Sequence, residues 1–202
     1  WSSDMCSSDL DPRHRHEEPF DAIVSNPPYS KKWDGDSNPL LINDDRYSPA
    51  GILAPKSASD LAFTMHILKS LSESGTAAIV EFPGVLYRGG AEKKIRQYLV
   101  NNNFVDTVIQ LPQNLFFGVS IATCIIVLRK SARPDNNILF VDASSQFVKN
   151  GNKNLLTPEN QDAIVRAYAE RKEVQYFTRL VSCQDVAAND YNLSVSSYVE
   201  QE

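Results

Sequence analysis

The sequence predicts an α/β fold, an open sheet of strands with helices on its faces. Three observations carry that prediction. Short apolar runs of strand length recur along the chain, as in Phe20-Asp21-Ala22-Ile23-Val24-Ser25 and Cys124-Ile125-Ile126-Val127-Leu128. Segments with apolar residues at helical spacing lie between them, and strands alternating with helices pack as layers. Apolar residues make up 42% and charged residues 22% of the 202 positions, which suits a packed domain and argues against disorder. At roughly 100–200 residues per domain, the length allows one domain, or one domain with a tail.

The elements follow in order. Residues 1–10 (WSSDMCSSDL) have no period and repeat the triplet SSD, so they read as a foreign segment outside the fold. Residues 11–19 are charged, carry Pro12 and Pro19, and read as a linker. The run 20–25 is a buried strand stopped by Pro27 and Pro28. Residues 30–58 are rich in Ser, Asp, Asn, Pro and Gly and form a long loop, a kind of segment that is commonly functional. Ser59 or Asp60 caps a helix with Leu61, Met65, Leu68 and Leu71 on one face, and Gly75 ends it. Residues 76–82 are a strand, and 91–101 a helix with Ile95, Leu99 and Tyr98 facing inward. Strands at 104–111, 121–128 and 138–141 follow, with a loop at 112–118. Pro158 fits the first turn of a helix running to about Glu173. Residues 174–202 have weak period.

Composition excludes several classes. No apolar run approaches the ~20 residues that span a bilayer, and no basic segment precedes an apolar one, so neither a membrane span nor a secretory signal is expected. Cys6, Cys124 and Cys183 are widely spaced and odd in number, so no disulfide framework or cysteine zinc site is expected, and a cytoplasmic location fits. His14 and His16 lie near Glu17 and Glu18 in a linker with no further ligand, so no metal site is expected. His66 and Cys124 read as structural. The net charge of −5 is unlike that of a protein that grips DNA unaided. The run Arg88-Gly89-Gly90-Ala91-Glu92-Lys93-Lys94-Ile95-Arg96 is either a phosphate contact at a helix N-terminus or a solvated face with an i,i+4 Glu92–Arg96 pair. Lys56 is a contact on the functional loop or a surface lysine.

The residues that carry chemistry are Asn26-Pro27-Pro28-Tyr29, at the carboxyl end of the first strand. Ligands of open α/β sheets bind at that end of the strands. Prolines fix φ and lack an N–H, so the turn is stiff, rich in carbonyl oxygens and poor in donors. The Asn26 side-chain oxygen and the Pro27 carbonyl can each accept one hydrogen of an –NH2 group, and Tyr29 offers a flat ring for stacking. Two acceptors on an exocyclic amine favour a pyramidal nitrogen whose lone pair can attack, which is orientational and electrostatic catalysis without a strong base. A base in a duplex must flip out to reach such a pocket. Read alone, the tetrapeptide also fits a plain strand-ending turn.

The runs FDAIVSNPPYS, LINDDRYSPAGILAPKSASDLAF, YRGGAEKKIRQYLVNNNFVDTVIQLPQNLFFGVSIATCIIVLRK and NDYNLSVSSYV, in this order, resemble the modification subunit of type I restriction-modification systems over about residues 11–202. The resemblance implies a site-specific adenine-N6 DNA methyltransferase subunit that uses S-adenosylmethionine. It implies Asn26, Pro27, Pro28 and Tyr29 as the catalytic tetrapeptide, with Asn26 and Pro28 at the methionine end of the cofactor. Phe116, or else Phe117, would stand against the other face of the flipped base; each ring also suits the core. The implied partners are DNA, a specificity subunit that reads the site, a second modification subunit and a restriction subunit. Sharing DNA recognition would account for the negative charge.

The family's fold is a Rossmann-like methyltransferase sheet, and the strand at 20–25 corresponds to the fourth of its seven. The chain is therefore expected to be a C-terminal part that lacks the first strands. No two glycines have G-x-G spacing, so the main cofactor-binding loop is absent. Alone, the chain is expected to be inactive, to bind the cofactor weakly or not at all, and to expose a hydrophobic edge at 21–25. Residues 11–150 would be a partial catalytic domain, and 151–202 a helical tail that docks partner subunits or packs on its own domain. A protein-glutamine or RNA methyltransferase, and a non-catalytic assembly fragment, are the alternative readings.

Overall fold

The computed structural model describes residues 18–116, 120–131, 133 and 135–201. The first strand, β1 (Phe20–Ser25), runs parallel to β2 (Leu71–Glu81), with Ser25 opposite Ile79. Between them lie the long loop and helix α1 (Asp60–Ser70), whose Leu61, Met65, Ile67 and Leu68 are buried. Each such side chain contributes roughly 1.5–3 kcal/mol. Helix α2 (Gly90–Asn101) buries Ile95 and Leu99 as expected, and leads into β3 (Val105–Gln110). Strand β4 (Cys124–Arg129) returns between β2 and β3, antiparallel to both. Strand β5 (Asn137–Asp142) lies parallel to β3 on its other side. A separate hairpin, β6 (Val148–Asn150) and β7 (Lys153–Leu155), precedes α3 (Pro158–Glu170). Strand β8 (Thr178–Ser182), antiparallel to β5, and the short α4 (Cys183–Ala188) complete the chain. The main sheet has the order β1-β2-β4-β3-β5-β8, with β1 at one edge and Val24 69% exposed there.

The long loop is fastened within itself. Trp33 Nε1 donates to the Pro55 carbonyl at 3.0 Å, and the Trp33 and Ser59 amides donate to the carbonyls of Lys56 and Lys31. The Trp33 ring meets buried Tyr47 edge to face. Three short 3-10 turns fill the rest, at Gly35–Ser37, Leu41–Asn43 and Ser48–Ala50.

Four expectations are corrected. Helix α1 stops at Ser70, because Leu71 is fully buried opposite Phe20 as the first residue of β2. Gly75 does not end a helix; it lies in β2, where a Cβ would come within 2.8 Å of the Phe20 carbonyl. Strand β4 begins at Cys124 rather than 121, since Ile121 is exposed. Residues 151–202 hold more than a helix: β8 joins the main sheet, and α3 ends at Glu170, where Arg171 turns left-handed. At the start of α3, Thr157 and Asn160 form a capping box ahead of Pro158.

The last residues fold back onto the sheet. Leu193, Val195 and Val199 are buried, and the Tyr198 ring lies 4.3 Å from Phe140. Arg96 ties this tail to the domain. It is 2% exposed, and it donates from Nε to the Tyr191 carbonyl and from Nη1 to the Val85 carbonyl, both at 2.9 Å. An Arg96→Ala change leaves two carbonyls without their donor and should destabilise the chain by about 3 kcal/mol in urea unfolding. Arg96→Lys should lose most of that as well, because one ammonium cannot match the two-pronged guanidinium. Unchanged midpoints would show that the tail is held by its apolar contacts alone.

Candidate active site

The proline pair ends the β1 ladder, and the chain turns at the carboxyl edge of the sheet. Asn26 and Pro28 are exposed there, Pro27 is buried and Tyr29 is half-buried. The Tyr29 hydroxyl donates to Asn26 Oδ1 at 3.0 Å. Ser30 takes the left-handed conformation at φ 50°, which costs a non-glycine residue on the order of 1 kcal/mol. Its amide donates to Asp60 Oδ1 at 2.9 Å, a bond to a carboxylate that offsets this cost. The first residue of α1 thus pins the turn that follows β1.

Acids crowd behind this turn. Asp60 starts α1, Glu81 ends β2, and Glu92 lies in the first turn of α2; all three are buried. Glu81 Oε1 accepts from the Thr64 hydroxyl at 2.8 Å. Asp60 Oδ2, Glu81 Oε2 and Glu92 Oε1 accept no hydrogen bond. Burial pushes the Glu81 carboxyl well above the usual range, and the Asp60 charge adds to the rise while the Thr64 bond opposes it. Burial likewise raises Glu92, with Arg88 acting against it. The Tyr29 phenol is pushed up to about 12, first by burial and then by Glu81, Cys124 and Asp60. Tyr29 is therefore a neutral donor across the working pH range and no base. The site offers fixed acceptors and a ring, which suits binding and orienting an amine.

The structure brings Asn26, Pro27, Pro28 and Tyr29 together in one turn, and Phe116 stands on another loop, the one that follows β3. Strands β1 and β3 point the same way, so their carboxyl ends share one edge. Three strand spacings separate them, about 14 Å. Phe116, half-buried, packs against the cluster of Ile109, Leu111, Leu139 and Val141. Phe117 lies outside the described residues, as do His14, His16 and Cys6.

Other candidates have local tasks. Lys56 pairs with Asp36 at 3.1 Å. Arg88 sits over the Phe82 ring and 3.8 Å from Glu92, Lys93 pairs with Asp190, and Arg96 serves the tail, so three of the four basic residues of this run have partners within the chain, while Lys94 is exposed. His66 Nδ1 faces Arg46 at 3.4 Å, and Cys124 is buried in β4. Reasoning from sequence missed Asp60, Thr64 and Glu81 as parts of the site. The one signal was a charge closing the apolar run Ile79-Val80-Glu81. A groove of about 400 Å³ lined by Arg179, Asp185, Tyr198 and Glu200 includes none of the site residues. Among the described residues, no helix is long and apolar enough to cross a membrane.

The chain is similar to known proteins in sequence and in fold. The model of the N-6 DNA Methylase family matches residues 4–202. The chain is 48% identical to the type I restriction enzyme MpnII methylase subunit of Mycoplasma pneumoniae, over 93% of this chain and 34% of that protein. It is 34% identical to the MjaVIII methylase subunit of Methanocaldococcus jannaschii, over 89% of this chain and 32% of that one. It thus spans about a third of the length of these relatives. Among solved structures, the methyltransferase subunit of the type I restriction-modification system from Streptococcus thermophilus superposes with a TM-score of 0.89 at 40% identity. That match covers 95% of this chain and 40% of the other. The EcoKI M protein shares the fold, with a TM-score of 0.68 at 19% identity over 92% of this chain and 44% of the other.

The Glu81 carboxyl makes stability depend on pH. Its folded value is raised, so its contribution is fully present below the unfolded value of about 4.3 and is lost as pH rises through the folded value. Glu81→Gln keeps an oxygen for Thr64 and removes the titration. The melting temperature of Glu81→Gln relative to the parent should therefore climb between pH 5 and pH 8, by about 2–4 °C for each kcal/mol relieved. A difference that stays flat with pH would contradict the assignment.

Proposed function

The chain belongs to the N-6 DNA methylase family, and from that membership we propose that it carries the methyl-transfer end of a type I adenine-N6 DNA methyltransferase subunit. The observation that supports this most is the Asn26-Pro27-Pro28-Tyr29 turn, held at the carboxyl edge of the sheet by Asp60. In the proposed reaction the flipped adenine presents its amine to Asn26 Oδ1 and the Pro27 carbonyl. A carbonyl oxygen has two lone pairs, so Asn26 Oδ1 can keep the Tyr29 hydroxyl and still accept from the amine. The Tyr29 ring stacks on the base. With both hydrogens directed at fixed acceptors, the amine nitrogen turns its lone pair outward and no base is needed to start the attack; the extra proton of the methylated amine is then shed to water.

S-Adenosylmethionine, when bound, supplies an electrophilic methyl group. The exposed Asn26 side chain and the exposed ring of Pro28 fit its methionine end. No glycine pair with G-x-G spacing is present for the nucleotide end, so that grip is assigned to segments outside this sequence. The exposed edge of β1 is where the rest of the sheet would continue. Residues 11–150 then form the catalytic part. In 151–202 the tail's apolar residues are used internally, and exposed Val165, Val174 and Tyr176 are left for a specificity subunit, which would supply the sequence-reading DNA contacts. A DNA-modifying enzyme of this kind works in the cytoplasm.

Three outcomes test the reading. In the full-length subunit assembled with its partners, Asn26→Ala should lower methylation by about 10³-fold with partner binding intact. Tyr29→Phe keeps the ring and should cost less than about threefold, whereas Tyr29→Ala should cost about tenfold or more, the scale of one lost stacking contact. By calorimetry, residues 11–202 should take up no S-adenosylmethionine while the full-length subunit does. Tight binding by 11–202 would place the cofactor site in residues read here as loop.

A further inference from the structure

The loop that carries Phe116 is gripped from behind by the β6–β7 hairpin. Asn154 Nδ2 donates to the Gln113 carbonyl at 2.8 Å, and the Asn154 amide donates to the Asn114 carbonyl at 3.1 Å. Lys153 Nζ donates to the Phe116 carbonyl at 3.0 Å. Two adjacent residues thus hold three of the four carbonyls between 113 and 116, although the Lys153–Phe116 bond joins residues 37 apart. The grip spans a strained point, since Asn114 is left-handed at φ 55°. The hairpin itself turns at Gly151, at φ +61°, where a side chain would be strained.

Among the described residues, neither β6 nor β7 adds a side chain to the apolar core clusters. All of β6 is exposed, and its apolar cross-strand pair, Val148 and Leu155, faces solvent. An element that adds nothing to either apolar core, yet gives three hydrogen bonds to one loop, has its effect on that loop. The position of the loop matters for a geometric reason. The carboxyl ends of β1 and β3 are about 14 Å apart. A planar base held between two rings needs them only about 7–8 Å apart, two van der Waals contacts. The course of the loop that leaves β3 therefore decides whether Phe116 can lie against the same base as Tyr29.

We propose that Lys153 and Asn154 are positioning residues for the target base: the hairpin sets where the Phe116 loop stands relative to the Asn26–Tyr29 turn. This rests on the reading of Phe116 as a base contact. It assigns the hairpin to substrate handling and not to folding.

The test uses the full-length subunit, assembled with its partners on a duplex with 2-aminopurine or adenine at the target position. Asn154→Asp keeps the shape and replaces the donor facing the Gln113 carbonyl with an acceptor. It should lower kcat about tenfold on a paired target. The KM for DNA and the unfolding midpoint should stay unchanged, and the 2-aminopurine signal of the flipped base should fall. On a mispaired target, where flipping is easy, the loss should shrink below about threefold. Lys153→Met should act in the same direction. In a Phe116→Ala background, Asn154→Asp should add no further loss. Equal losses on paired and mispaired targets, a lowered unfolding midpoint that accounts for the loss, or full additivity with Phe116→Ala would each overturn the proposal. If Phe116→Ala alone leaves kcat and the 2-aminopurine signal unchanged, the base-contact reading fails, and the proposal fails with it.

Discussion

One hydrogen bond organises the carboxyl edge of this sheet: the Ser30 amide to the Asp60 carboxylate. A strand that ends in two prolines has no N–H groups at those positions to extend its ladder. Without another tie, the chain after Ser25 could swing. Asp60 supplies the tie because it is the first residue of α1, and α1 is fixed by Leu61, Met65 and Leu68 in the core. Helix packing therefore sets a carboxylate, the carboxylate sets a left-handed serine, and the serine sets where Asn26 and Tyr29 stand.

The same region buries three acids close together. Glu81 and Glu92 are buried close to Asp60, and one oxygen of each of the three acids accepts no hydrogen bond. Burial answers this by raising the two glutamates, and it keeps the Tyr29 phenol protonated as well. The outcome is a site with acceptors and a ring but no accessible base. That matches an amine nucleophile whose reactivity comes from orientation. The turn thus combines a left-handed serine with buried acids, while the apolar core beneath it is well formed.

Features that act within a few residues were legible in the sequence. The strand at 20–25 and its proline stop, the helix around Ile95 and Leu99, and Pro158 at the start of α3 all appear where local pattern puts them, although the strand expected to be buried lies at the sheet edge and buries only Ile23. What escaped depends on partners far along the chain. Leu71 fits a helical period and is claimed by pairing with Phe20. Strand β8 has weak alternation and exists because β5 offers it an edge. Asp60 looks like a cap until the fold sets it beside Ser30, and nothing local marks Asn154 until it meets Gln113. Family resemblance reached the proposed catalytic tetrapeptide but not the side chains that hold it, because holding is a property of the fold and not of the motif.

The account comes down to where the target base sits. The most direct measurement replaces the target adenine with 5-iodouracil in a duplex bound by the full-length methylase, irradiates it, and maps the cross-linked peptide by mass spectrometry. The account predicts a cross-link to Tyr29, in the peptide that also holds Asn26, Pro27 and Pro28, and its loss in Tyr29→Ala. A cross-link confined to peptides away from this turn, unchanged by that substitution, would contradict it.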